Sequence, residues 1–187
     1  MLKIEKQKLS ALFSKIAEDK DLYLPVKEAG QVNFAAWTEE AEVALDTLKT
    51  VKSPKDAFFP QSENLYTCRG TNKNIQIKPE ELCDKAFVVF GMKMCDVKGI
   101  EVLDKVFLAD PVDTFYKARR EHGIIVAMAC NEPEETCFCK VFGTDAAEPV
   151  ADVATWMVGD FLYWQAKTEK GEALTKELES LLAASDA

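Results

Sequence analysis

Four cysteines, Cys95, Cys130, Cys137 and Cys139, are the residues of this chain whose type and spacing can do chemistry. The last three fall within ten residues of one another. Four thiolates around one point are the ligand set of a zinc site or of an iron–sulfur cluster. Cys137-Phe138-Cys139 is a C-x-C spacing, whereas zinc ribbons favour pairs of C-x₂₋₄-C knuckles. A cubane with four iron corners takes ligands that zinc knuckles would not supply so readily. The spacing is not the bacterial ferredoxin run C-x₂-C-x₂-C either. Spacing alone therefore leaves open an iron–sulfur cluster, a zinc-stabilised scaffold held by four cysteines, and a Cys137/Cys139 redox pair. Pro133 stiffens the loop, and Phe138 stands between two candidate ligands, where it can shield a cluster from water. Cys68 and Cys83 have no matching partners and read as structural thiols.

The elements around these cysteines read as strand, helix, strand. Ala86 to Phe90 and Ile124 to Ala129 are continuous apolar runs of strand length, as expected of strands covered on both faces. Cys95 lies five residues past Phe90, and Cys130 lies one past Ala129. Between the runs, Met92 to Asp96 reads as a loop. Val97 to Phe107 reads as a helix with Ile100, Leu103, Val106 and Phe107 on one face, and Thr114 to Glu121 as a second, shorter one. This is a βαβ crossover. Ligands in open α/β sheets bind beyond the carboxyl ends of the strands. Neighbouring strands would thus bring the four cysteines to one edge, with the amides of the helix starting near Asp96 and Lys98 available to sulfur.

Elsewhere the pattern predicts a helix over Ile4 to Ala17 and a hairpin from Leu22 to Phe34 turning at Gly30. A helix capped by Thr38 is expected to run through Leu48, with a polar loop around Arg69 to Asn74 and a short helix at Pro79 to Glu81. Val153 to Met157 and Phe161 to Lys167 form a second hairpin, Thr168 to Leu182 a helix, and Ala183 to Ala187 a fraying tail. The fold class expected is α/β, a mainly parallel sheet with a βαβ crossover and cysteine loops at the C-terminal ends of two adjacent strands. A small α+β N-terminal portion completes it. Residues 1–187 form one domain, with 1–55 as the helix/hairpin/helix portion and 56–187 as the cluster-binding portion.

Composition narrows the function. With 23 Lys plus Arg against 32 Asp plus Glu, the formal charge of −9 argues against nucleic acid or an anionic membrane surface as partner. It suits docking onto a basic patch. A hydrophobic share of 48% is enough for a core without disulfides or metal. No segment reaches the roughly 20 apolar residues of a membrane span, and Met1 to Ser10 lacks a signal-peptide core. The expectation is a cytoplasmic chain with reduced thiols. His122, the single histidine, reads as a helix-end residue. Tyr116, Lys117, Arg119 and Arg120 read as a solvated helix face, or as a docking patch for an acidic partner. Trp156, Tyr163 and Trp164 read as core or interface packing. No G-x-G-x-x-G, G-x-S-x-G or Walker sequence is present, so no catalytic residue is assigned.

Four stretches together carry a family resemblance: Phe59-Pro60-Gln61-Ser62-Glu63, Val89 to Glu101, Tyr116 to Glu121 and Ala129 to Cys139. They look like the iron–sulfur subunit shared by anaerobic sulfite reductase (its A subunit) and cytosolic sulfhydrogenase (its beta subunit). The resemblance runs in order from about Phe58 to Gly171. It implies an electron-transfer domain carrying a [4Fe-4S] cluster on Cys95, Cys130, Cys137 and Cys139, with zinc as the alternative. It also implies partners in an anaerobic oxidoreductase complex: a flavoprotein handling a nicotinamide cofactor, a catalytic subunit, and a ferredoxin-like domain with two further clusters. This chain reads Met92-Lys93-Met94-Cys95 where such proteins often have Val-Arg-Pro-Cys. Ala187 falls where the dicluster domain would begin and no second cysteine set is present, so one cluster is expected here.

Overall fold

The two continuous apolar runs set the architecture, because a strand that is apolar at every position is stable only with both faces covered. The computed structural model describes residues 1–71 and 74–185. The strands are β1 (Leu2–Glu5), β2 (Asp21–Glu28), β3 (Gln31–Ala36), β4 (Tyr66–Thr71), β5 (Asn74–Pro79), β6 (Phe87–Met92), β7 (Gly123–Met128), β8 (Val153–Val158), β9 (Phe161–Ala166) and β10 (Ala183–Ala184). The helices are α1 (Leu9–Ala17), α2 (Met94–Phe107), α3 (Thr114–His122) and α4 (Glu169–Glu177).

Among the described residues eight strands form one sheet, in the order β10-β1-β9-β8-β7-β6-β2-β3. Its centre is parallel, with β2 beside β6, β6 beside β7 and β7 beside β8. The flanks are antiparallel hairpins, β2–β3 and β8–β9, with β1 and β10 added at the far edge. The N-terminal portion is thus woven into the same sheet. Side chains of the central strands alternate between two layers, as the pleat requires. Val88, Phe90, Val126 and Met128 pack with Leu12, Phe13 and Ile16 of α1 and with Leu174 of α4. Phe87, Val89, Ile125 and Ala127 pack on the other face with Phe58, Tyr116, and Val97 and Ile100 of α2.

Several local expectations are corrected; the helix expected from Ile4 begins only at Leu9, with Leu2–Glu5 forming β1, and the helix expected through Leu182 ends at Glu177. The segment from Thr38 to Leu48 is not a helix. It lies as a strap on the edge of β2 that β6 leaves open, with Lys27 N–H donating to the Glu42 carbonyl (2.8 Å) and Ala44 N–H to that of Pro25 (2.9 Å). β6 pairs with β2 only from Asp21 to Tyr23, and satisfying the bare backbone beyond outweighs helix propensity. The expected loop around Arg69 to Asn74 is instead the hairpin β4–β5, with Tyr66 opposite Pro79 and Cys68 opposite Ile77 (residues 72 and 73 of that loop lie outside the described residues). Pro79 to Glu81 forms no helix, because Pro79 ends β5. Finally, α2 begins at Met94, so Cys95 occupies its first turn rather than a loop. Val106 of α2 faces water, 61% exposed. Of the expected fraying tail, Ala183 and Ala184 pair with β1, and residues 186 and 187 lie outside the described residues.

Phe90 ties the layers together. It is fully buried, edge-on to Phe13 of α1 (ring centroids 5.2 Å) and 6.2 Å from Trp164 of β9. Phe90→Ala is expected to cost about 3–5 kcal/mol through lost burial and the cavity left behind. Denaturant unfolding would read this as a lowered midpoint with an unchanged slope.

Candidate metal centre

The site is built at the carboxyl edge of the parallel strands. β6 leaves its register with β7 between Phe90 and Met92. Gly91 sits at that slip with φ +85°, a conformation that side chains other than glycine's rarely adopt. A Cβ there would also press on Leu45 Cδ2 at 3.1 Å. The chain then turns through Lys93 into α2, which places Cys95 in its first helical turn. On the neighbouring strand Ala129 N–H donates to the Thr155 carbonyl (2.9 Å), and Cys130 N–H donates to that of Ala146 (2.8 Å). These bonds fix Cys130 just beyond the sheet.

The remaining two cysteines come from the loop that follows. Cys137 N–H donates to the Glu134 carbonyl (2.9 Å), closing a turn, and Glu134 N–H points back at Cys137 Sγ (3.3 Å). Cys139 opens a 3₁₀ turn through Phe142, which Gly143 ends at φ +63°. Phe138, expected as a shield, is 63% exposed and packs on Phe142, with ring centroids 5.7 Å apart.

The four thiols share one electrostatic neighbourhood. Partial burial raises the Cys95 pKa above its ordinary value, helped by the nearby Asp96, Cys139 and Cys130. Partial burial likewise raises Cys130, with Lys93 opposing and Cys139 and Cys137 adding to the rise. Two lysines stand here, Lys93, which the sequence marked only as a departure from the family pattern, and Lys49, which sequence reasoning passed over. Lys93 is buried, which lowers its pKa, and it lies near Cys130 and Cys95. Lys49 bonds Glu134 and Thr136 in the cysteine loop, and the Glu134 bond raises its pKa. It also feels Cys137 and Cys95. Lys93 was at least adjacent to the Cys95 motif, whereas nothing in sequence spacing marked Lys49. Among the described residues, no three or more His, Cys, Asp or Glu side chains are drawn to the spacing of a single metal ion.

The other singled-out residues fall elsewhere. Arg119 pairs with Glu63, which gives the Gln61-Ser62-Glu63 stretch a structural role. Arg120 pairs with Asp104 (Nε to Oδ1, 2.9 Å), and the buried Tyr116 hydroxyl donates to the same carboxylate (2.7 Å). Burial, then Asp104, raises the Tyr116 pKa. Arg119, Arg120 and Tyr116 are therefore used within the chain. Lys117 stays on the surface near Glu121 (3.6 Å). His122 ends α3 with Nδ1 2.8 Å from the Ala118 carbonyl oxygen. Cys83 packs beside the α2-side core, while Cys68 is exposed on β4. Trp164 is core, and Trp156 Nε1 donates to the Ala147 carbonyl (2.8 Å).

Over 152 residues the chain is 32% identical to the sulfhydrogenase 2 subunit beta of Pyrococcus furiosus. The chain belongs to the sulfhydrogenase beta-subunit family. The match takes in 81% of this chain and 44% of the relative, so the chain spans less than half the length of the curated relative it matches. No family model matches the chain, and no solved structure matches it. Among the described residues of the chain, no helix is long and apolar enough to cross a membrane.

The raised thiol pKa values have a testable sign. A thiol whose pKa is raised holds its proton to higher pH and is a poorer nucleophile below it. In metal-free protein, the half-buried Cys130 is expected to alkylate with iodoacetamide more slowly than the exposed Cys68 near neutral pH. The gap should narrow as pH rises. Mass spectrometry of timed digests measures this, and equal rates at neutral pH would contradict it.

Proposed function

We propose that the chain is an electron-transfer module holding one [4Fe-4S] cluster on Cys95, Cys130, Cys137 and Cys139. The carrying observation is that thiols from the β6 end, the β7 end and the following loop share one electrostatic neighbourhood at a single sheet edge. The donor set fits the group. It consists of thiols alone, one sulfur accepts a backbone amide, and two ammonium groups stand nearby to offset negative charge. A bound cluster would supply one-electron transfer, at a potential set by such hydrogen bonds, charge and exposure. The residues of the chain do the rest. The parallel strands fix the loops, the Glu134 amide donates to Cys137 Sγ, and Lys93 and Lys49 offset the thiolates.

In this reading residues 1–187 act as a single unit, cytoplasmic and without bond-making chemistry of its own. It relays electrons between a flavoprotein that handles a nicotinamide cofactor and the catalytic subunit of an anaerobic oxidoreductase complex, alongside a ferredoxin-like domain. Membership in a family named for a subunit supports an assembly role. So does the β4–β5 hairpin, whose Tyr66, Ile75 and Ile77 are at least 60% exposed. Two-stranded hairpins are marginal in water alone, so such an apolar face favours cover by a partner.

Anaerobic purification tests the proposal. About four irons and four acid-labile sulfides per chain are expected, with broad visible absorbance that dithionite bleaches. Cys137→Ser should lose most of the iron, while Cys68→Ser should keep it. One zinc per chain and no colour would overturn the reading. Full iron occupancy in Cys137→Ser would overturn the ligand assignment. Loading should also release protons and strengthen as pH rises, because Cys95 and Cys130 must lose theirs.

A further inference from the structure

A crevice of about 1090 Å³ opens at the carboxyl edge of the sheet, beside Cys130 and on the α1 side. Its walls include Leu9, Phe13, Trp37, Leu45, Met128 and Met157. Trp37 stands edge-on to the buried Phe13, their ring centroids 6.4 Å apart. Such a cleft, apolar over little more than half of its lining, can admit a small organic ligand.

The polar group is Lys93. It lines the crevice and is only 9% exposed. No hydrogen-bond acceptor or ion-pair partner among the described residues meets its ammonium group. Its ammonium is only partly withdrawn from water, and without a partner it favours a negative charge beside it. Lys6, in the 3₁₀ turn before α1, and Ser10, in the first turn of α1, border the same space. Four carboxylates also line the crevice, Glu39, Asp46, Glu132 and Glu134. All four are exposed, and Glu134 is already paired with Lys49. Asp46 is the one among them close enough to act on Lys93, and it lies beyond ion-pair distance.

We propose that this crevice binds a planar aromatic organic anion, its ring system against Trp37 and its anionic group against Lys93. The site touches Cys130, so its occupant sits next to the thiols assigned to the cluster. The inference deepens the electron-transfer reading, but its own evidence is the crevice and Lys93.

Flavin mononucleotide and riboflavin form the probe pair, since they share one planar ring and differ by a phosphate. Saturable quenching of flavin fluorescence on the purified full chain gives the affinities, and iron is counted in the same sample. Flavin mononucleotide is expected to bind about tenfold or more tightly than riboflavin, as one offset charge predicts. Lys93→Met should erase that difference, while Lys93→Arg keeps it. Ala41→Trp, which crowds the crevice wall without touching charge, should weaken both ligands. Equal affinity for the two flavins, no saturable binding, or an undiminished phosphate preference in Lys93→Met would each overturn the proposal. The flavin comparison on the unaltered chain decides the matter even if a variant fails to fold. Phosphate-selective binding to a chain without iron would overturn the cluster reading alone. Four irons with no flavin binding would overturn this inference alone.

Discussion

The parallel pairing of β6 with β7 is the constraint on which the rest depends. Phe87 to Phe90 lie in register with Gly123 to Val126, so both strands end at the same edge. A parallel neighbour requires a crossover, and α2 with α3 supplies it on one face while α1 and α4 cover the other. The continuous apolar runs are what make both coverings favourable. The slip at Gly91 then lets the chain turn at once into α2, which carries Cys95 toward the end of β7. A shift of either strand by one residue would exchange the two layers and move Cys95 or Cys130 away from its partners.

Gathering four thiols has an electrostatic cost that shapes the metal-free chain. Thiolates close together repel, and partial burial weakens their hydration. Cys95 and Cys130 respond by holding their protons. Lys93 faces the opposite problem, since its partly buried ammonium lacks a close anion. Placing unfavourable thiolates beside an unfavourable ammonium lets each relieve the other once the thiols ionise. In the proposed function, iron completes that exchange by taking the place of protons on sulfur.

Much of this was legible in sequence because it follows from periodicity and punctuation. The buried runs, the Gly30 turn, the β8–β9 hairpin and the Thr168 cap of α4 are all local signals. That β6 and β7 end at one edge, with Cys95 and Cys130 just beyond them, also followed once two adjacent parallel strands were inferred. What escaped depends on tertiary pairing. Thr38 to Leu48 has helical spacing, yet the open edge of β2 captures it as a strap. The alternation of Tyr66, Cys68, Ile75 and Ile77 was hidden because each strand of the β4–β5 hairpin is short and includes polar residues. Arg119 with Glu63 and Lys49 with Glu134 join residues 56 and 85 apart, beyond any local pattern. The same holds for the crevice, whose lining comes from α1, the strap and two strand ends.

X-ray absorption at the iron edge of the anaerobically purified chain tests the central claim most directly. The account predicts iron coordinated by sulfur alone, with an iron–iron scattering shell from neighbouring cluster corners, both diminished in Cys139→Ser. Isolated metal ions with four sulfur ligands and no metal–metal shell, or spectra unchanged by that substitution, would contradict it.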